Sequence, residues 1–138
     1  MQISVYTDGG SRGNPGVSGY GVVIYDDQQQ IIYQESKFLG IKTNNEAEYS
    51  AFLGALVWIS NHLQKFDIDQ ISFFADSQLL VCQIQGIYKM KAANLKSLFN
   101  QCRHLLDQIN IPYQFRHVPR LENELADQLA NQAMDRQK

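Results

Sequence analysis

The chain predicts an α/β domain built on a mixed sheet covered by helices, and two observations carry that prediction. Three apolar strand patterns come first, and strand and helix patterns then alternate to the end. The second and third strands are separated only by the polar turn Asp26-Asp27-Gln28-Gln29-Gln30, too short for anything but an antiparallel hairpin. The later strands are joined through helices, which makes the sheet mixed.

Each element has its own sequence signal. Gln2 to Thr7 reads as a half-apolar strand that runs into Asp8 and then into the glycine-rich loop Gly9 to Gly16. Tyr20 to Tyr25 and Ile31 to Phe38 form the hairpin. Thr43-Asn44-Asn45-Glu46 fits a capping box, with Thr43 as N-cap, and opens a long helix from Asn44 to about Gln64. Ile71 to Ala75 is a short strand, followed by helical patterns at Ser77 to Gln85 and Ala93 to Ile109. Pro112 to Val118 is the last strand and Glu122 to Met134 the closing helix, giving five strands in all. No repeat, low-complexity segment or linker divides the chain.

Composition limits the function classes. A length of 138 residues with 44% hydrophobic content fits one domain over residues 1–138 with a single core. No run is apolar enough to span a membrane, and the first residues read as a strand rather than a signal peptide. Cys82 and Cys102 lie far apart without metal-ligand spacing, as expected of reduced, mostly buried thiols in a cytoplasmic protein. A formal net charge of −2 and a pI near 5.8 give no general support to nucleic-acid binding. Any phosphate-binding activity must therefore come from metal ions, backbone amides and local lysine or arginine groups.

Four carboxylates stand out. Asp8 ends a strand beside glycines, where bare backbone leaves room for a metal or a phosphate. Glu46 is explained by the capping box, whereas Glu48, at about 3.6 residues per turn, shares a face with Phe52, Ala55, Ile59 and Leu63. A carboxylate on that core-facing stripe must pair, protonate or hold a cation. Asp76 ends a strand and precedes a helix, so it or Ser77 serves as N-cap unless a site claims it. If its strand is a parallel neighbour of the first, Asp8 and Asp76 emerge at one sheet edge, where sites in open α/β sheets form. Asp127 borders the apolar face of Leu125, Leu129, Ala130 and Met134. Taken alone, it reads as a solvated or dipole-complementing charge.

Five motifs occur in order: Tyr6-Thr7-Asp8-Gly9; Gly13-Asn14-Pro15-Gly16 with Gly19-Tyr20-Gly21; Thr43-Asn44-Asn45 with Glu48; Ala75-Asp76-Ser77; and Glu122-Asn123 with Ala126-Asp127. Together they resemble the type 1 ribonucleases H over essentially the whole chain. The resemblance implies a ribonuclease H-like fold, a five-stranded mixed sheet flanked by helices. It also implies hydrolysis of the RNA strand of RNA–DNA hybrids, with 5′-phosphate and 3′-hydroxyl products. By resemblance, Asp8, Glu48, Asp76 and Asp127 are the metal-binding and catalytic carboxylates. Gly9, Gly10 and Ser11 approach the RNA strand, and Asn14, Asn44, Asn45 and Gln78 contact groove edges and sugars. Thr43 caps its helix and contacts a DNA phosphate, while Asn44 has the alternative of serving the helix start.

The chemistry agrees independently. Four clustered carboxylates cannot all stay ionised without compensation. Two divalent cations neutralise them, and a hard-oxygen set without His or Cys favours Mg2+, with Mn2+ as a substitute. The ions also let an acidic protein approach a polyanion.

Two departures from the best-known relatives stand out. The long basic insertion is missing, leaving Gln85 to Ala92 and a candidate phosphate patch of Lys89, Lys91 and Lys96, against the alternative of a solvated face. The glycine-flanked loop histidine is missing too, and the chain reads His117-Val118-Pro119-Arg120 there, as in the compact branch of archaea and some bacteria. Arg120 is the candidate for that histidine's electrostatic role, and the parity of His117 in its strand stays open. The rival readings are a non-catalytic nucleic-acid-binding module and another nuclease of the same superfold. Duplex RNA as a second substrate is left open, and a monomer is the default.

Overall fold

The elements follow the predicted order in the computed structural model, which describes residues 1–138. They are β1 (Gln2–Gly13), β2 (Gly16–Tyr25), β3 (Ile31–Lys42), α1 (Asn44–His62), β4 (Gln70–Ala75), α2 (Gln78–Ile84), α3 (Lys96–Gln108), β5 (Tyr113–His117) and α4 (Glu124–Arg136). Short 3-10 turns at Ala93–Leu95 and Arg120–Asn123 lead into α3 and α4. The five strands form one sheet in the order β3-β2-β1-β4-β5. β1, β2 and β3 pair antiparallel, while β1 with β4 and β4 with β5 pair parallel, so the sheet is mixed as expected. No helix is long and apolar enough to cross a membrane.

Helices cover both faces where β1 and β2 run. On one face Ile3, Val5, Val22, Ile24, Ile71 and Phe73 join Phe52, Leu56 and Ile59 of α1 and Leu106 of α3 in the main core. On the other, Val23 meets Ala126 and Leu129 of α4. This two-sided cover explains why β2 is buried continuously from Ser18 to Ile24 instead of alternating. The capping box of α1 is present: Glu46 N–H donates to Thr43 Oγ1 at 3.1 Å and Thr43 N–H to Glu46 Oε1 at 2.8 Å.

The structure corrects the reading of the glycine-rich stretch. It is not a loop, because β1 and β2 stay paired until Gly13 meets Gly16, and only Asn14 and Pro15 form the turn. Glycines weaken the strand signal in the sequence, yet here they serve close packing. A Cβ on Gly9 would lie 2.2 Å from the carbonyl carbon of Ala47 in α1, and one on Gly21 would lie 2.2 Å from the Ala126 oxygen in α4. Asp8 therefore sits within a strand, opposite Gly21, and not at its end. The β1–β4 ladder, however, stops at Thr7 and Ala75. The sheet splits one residue before Asp8 and Asp76, and that split is the crevice where a site can form. The closing helix also begins later than expected, at Glu124, because residues 120–123 take the 3-10 turn.

Candidate active site

Three of the four predicted carboxylates meet at the split. Ligand oxygens of Asp8, Glu48 and Asp76 all lie within 4.8 Å of one another. Each comes from a different element, and each placement has a local cause. Asp8 continues β1 past the end of β4. Glu48 lies in the first turns of α1, which Gly9 admits against β1, and it faces inward as the helical projection requires. Asp76 is released from capping because Ser77 is the N-cap of α2, its hydroxyl accepting from Leu80 N–H at 3.2 Å.

The electrostatics are those of an unneutralised cluster. Asp8 is 6% exposed and Glu48 4%. Burial pushes both carboxyls well above the ordinary carboxylate range, and repulsion within the Asp8, Glu48 and Asp76 group pushes them further. Glu48 Oε2 is buried without a hydrogen-bond partner. A buried, orphaned carboxylate oxygen beside two more carboxylates, with no His or Cys among the donors, fits a hard divalent cation.

Asp127 lies in the first turn of α4, outside the tight trio, and lines the same cleft of about 580 Å³. It is close enough to Asp8 to add to the rise of that carboxyl. Its Oδ1 accepts from Arg120 Nη2 at 3.2 Å, which also places Arg120 on the cleft wall. His117, whose orientation the sequence left open, ends β5 opposite Ala75 and lines the cleft as well. Its Nε2 lies 3.2 Å from the Asp76 carbonyl oxygen.

The remaining predicted residues divide into two groups. Gly9, Gly10, Ser11 and Asn44 line the cleft, whereas Asn14, Thr43, Asn45 and Gln78 do not. Several carry structural bonds that tie the β1–β2 hairpin tip to the start of α1. Ser11 Oγ donates to Lys42 O at 2.9 Å and to Gly13 O, and Asn14 Oδ1 accepts from Asn44 N–H at 3.0 Å. Asn45 and Gln78 are exposed, as are Lys89, Lys91 and Lys96. Sequence reasoning assigned no role to Asn123, although it quoted the residue in a motif. That side chain is buried, with Nδ2 donating to Thr7 O at 2.9 Å.

Comparison with known proteins fits this geometry. A family model described as "Reverse transcriptase-like" matches residues 6–133. The ribonuclease H of Ruthia magnifica is 34% identical over 152 aligned positions, covering 98% of this chain and 97% of that protein. Ribonuclease HI of Halobacterium salinarum is 36% identical over 97% of this chain, and a bifunctional protein of Mycobacterium tuberculosis is 39% identical over 98%. The chain spans 65% of the length of the first of these two and 36% of the second. Among solved structures, LC11-RNase H1, isolated from compost, superposes with a TM-score of 0.90 at 40% identity, covering 98% of this chain and 96% of that one. The same enzyme in complex with an RNA/DNA hybrid gives a TM-score of 0.91, covering 97% of each chain. Fold, ordered motifs and relatives of matching length agree, and the chain belongs to the type 1 ribonuclease H family.

Proposed function

We propose that this chain is an endoribonuclease that hydrolyses the RNA strand of RNA–DNA hybrids with two bound divalent cations, leaving 5′-phosphate and 3′-hydroxyl ends. The observation that carries the reading is the meeting of Asp8, Glu48 and Asp76 around an orphaned Glu48 oxygen at the head of an open cleft. A binding module has no need for such a cluster, which costs stability unless cations occupy it. The hybrid bound by LC11-RNase H1 supports the choice of substrate.

Asp8, Glu48, Asp76 and Asp127 would hold the cations, with Mg2+ favoured by the all-oxygen set and Mn2+ as the substitute. Bound there, such ions activate water and offset charge on the leaving oxygen of an in-line displacement. The chain's own residues do the rest. Gly10, where a side chain would face Met134 on the cleft wall, leaves backbone bare beside Gly9, so a sugar–phosphate strand can approach closely. Recognition then depends on the shape and 2′-hydroxyls of a hybrid's wide minor groove and not on base edges. Arg120, beside Asp127, stabilises charge near the scissile phosphate as a guanidinium cation, the part an arginine plays in place of a proton relay.

The test is incubation with end-labelled RNA–DNA hybrid, duplex RNA, duplex DNA and single strands, with and without Mg2+. Cleavage confined to the RNA strand of the hybrid, and abolished by chelation, is the expected result. Cleavage of duplex RNA as well would widen the substrate class, and no cleavage of any substrate would overturn the reading.

A further inference from the structure

Asn123 presents an unexplained combination. It is 2% exposed, and its Nδ2 donates to the Thr7 carbonyl at 2.9 Å, while its Oδ1 is buried with no hydrogen-bond partner. It occupies the N-cap position of α4, yet its side chain makes no capping bond. So it is neither a helix cap nor a satisfied core amide. A buried amide with its acceptor unmatched costs stability, and folding energy does not account for it.

What the bond does is tie the start of α4 to the point where β1 and β4 part. Thr7 is the last residue of β1 to pair with β4, opposite Ala75, and the next residues on the two strands are Asp8 and Asp76. Asn123 immediately precedes α4, and Asp127 lies one turn further on. The side chain therefore anchors the origin of α4 where the sheet splits. On Asp127 itself the side chain pairs with Arg120, which is 76% exposed, and exposed ion pairs hold little. The bond from Asn131 Nδ2 at 3.0 Å goes to the Asp127 carbonyl and not to its carboxylate.

We infer that Asn123 is a positioning residue: by tying the start of α4 to the Thr7 carbonyl, it holds Asp127 in range of Asp8 and completes the cation site. This rests on the assignment of Asp127 to cation binding under the proposed function. Groups that orient metal ligands from behind typically matter by about 10- to 100-fold in affinity or rate.

The experiment pairs calorimetric titration with Mn2+ and single-turnover and steady-state cleavage of labelled hybrid. It uses the full chain as wild type, Asn123→Ala, Asn123→Leu, Asp127→Asn and Asn123→Ala with Asp127→Asn, each checked by thermal unfolding. Asn123→Ala should weaken Mn2+ binding and slow cleavage by about 10- to 100-fold, while the KM for hybrid stays within about 2-fold. In the Asp127→Asn background the same change should add less than about 2-fold, because the two residues act through one ligand. Asn123→Leu restores volume without the amide and should stay folded with the same cation defect. Normal cation binding in Asn123→Leu would make Asn123 a space-filler and overturn the inference. So would an undiminished effect in the Asp127→Asn background, or loss of folding in both single variants. A wild type that binds Mn2+ but cuts no hybrid would sink the hybrid-nuclease reading alone, and the titrations would still decide the role of Asn123. A wild type that takes up no Mn2+ would overturn both.

Discussion

Glu46 and Glu48 stand two positions apart on α1, and geometry divides their roles: one carboxylate closes the capping box and the other is buried against Asp8 and Asp76. Glu48→Gln should reduce cleavage by at least about 100-fold, since even groups behind metal ligands matter by about 10- to 100-fold. Asp8→Asn and Asp76→Asn should do the same while hybrid binding, followed by gel shift, stays measurable. Glu46→Gln should leave the rate within about 2-fold and stability, from urea unfolding, within about 1 kcal/mol, because glutamine also serves in a capping box. This division was legible from the helical projection, whereas the sequence left Asp76 and Ser77 as alternative caps and the structure gives the cap to Ser77. His117 was not legible, because a short strand such as Pro112 to Val118 admits either parity. Its position beside Asp76 sets up a direct comparison. Arg120→Ala should lower turnover far more than hybrid affinity, and Arg120→Lys should recover part of the loss. Cleavage lost in His117→Ala and kept in Arg120→Ala would transfer the role to His117.

At the scale of elements, order and type were readable throughout; apart from the late start of α4, the error lies where glycine was taken for loop. Strand propensity has no term for a helix backbone resting on the sheet, so Gly9 looked like a loop residue when it is a contact point for α1, while Gly21, inside a predicted strand, is the matching contact point for α4. Gly9→Ala should lift α1 from β1 and carry Glu48 with it. The expected loss of stability is about 1–3 kcal/mol, typical of overpacking, with a fall in single-turnover rate larger than the unfolded fraction explains. Ser77→Ala removes the cap from the short helix α2 and should cost about 1 kcal/mol in urea unfolding. Asp76 directly follows β4 and stays in place with it, so at temperatures well below the transition the cleavage rate should hold. A rate collapse in Ser77→Ala with the fold intact would mean that α2, and not β4, positions Asp76.

For the whole molecule, the acidic cluster links stability to pH and to cations. The native state holds Asp8 and Glu48 protonated above the pH at which the unfolded chain releases those protons. Their contribution is thus complete below about pH 4 and is lost as pH rises through the raised native values. In chelator, the melting temperature should fall from weakly acid to alkaline pH, and Mg2+ should restore it far more at about pH 8 than at about pH 5. Asp8→Asn should flatten the chelator curve; an equally steep curve in that variant would assign the dependence elsewhere. The bond from Asn123 to Thr7 has a consequence for assembly of the chain, since its partners are 116 residues apart in sequence. Closing so long a loop is entropically costly and comes late in folding. On the proposed function, cutting power then arises last, after both helical faces have docked. Molecules that have not yet made this bond, whether nascent or recovering from denaturation, would leave hybrids uncut. In refolding experiments cleavage should return only after the helical signal has recovered.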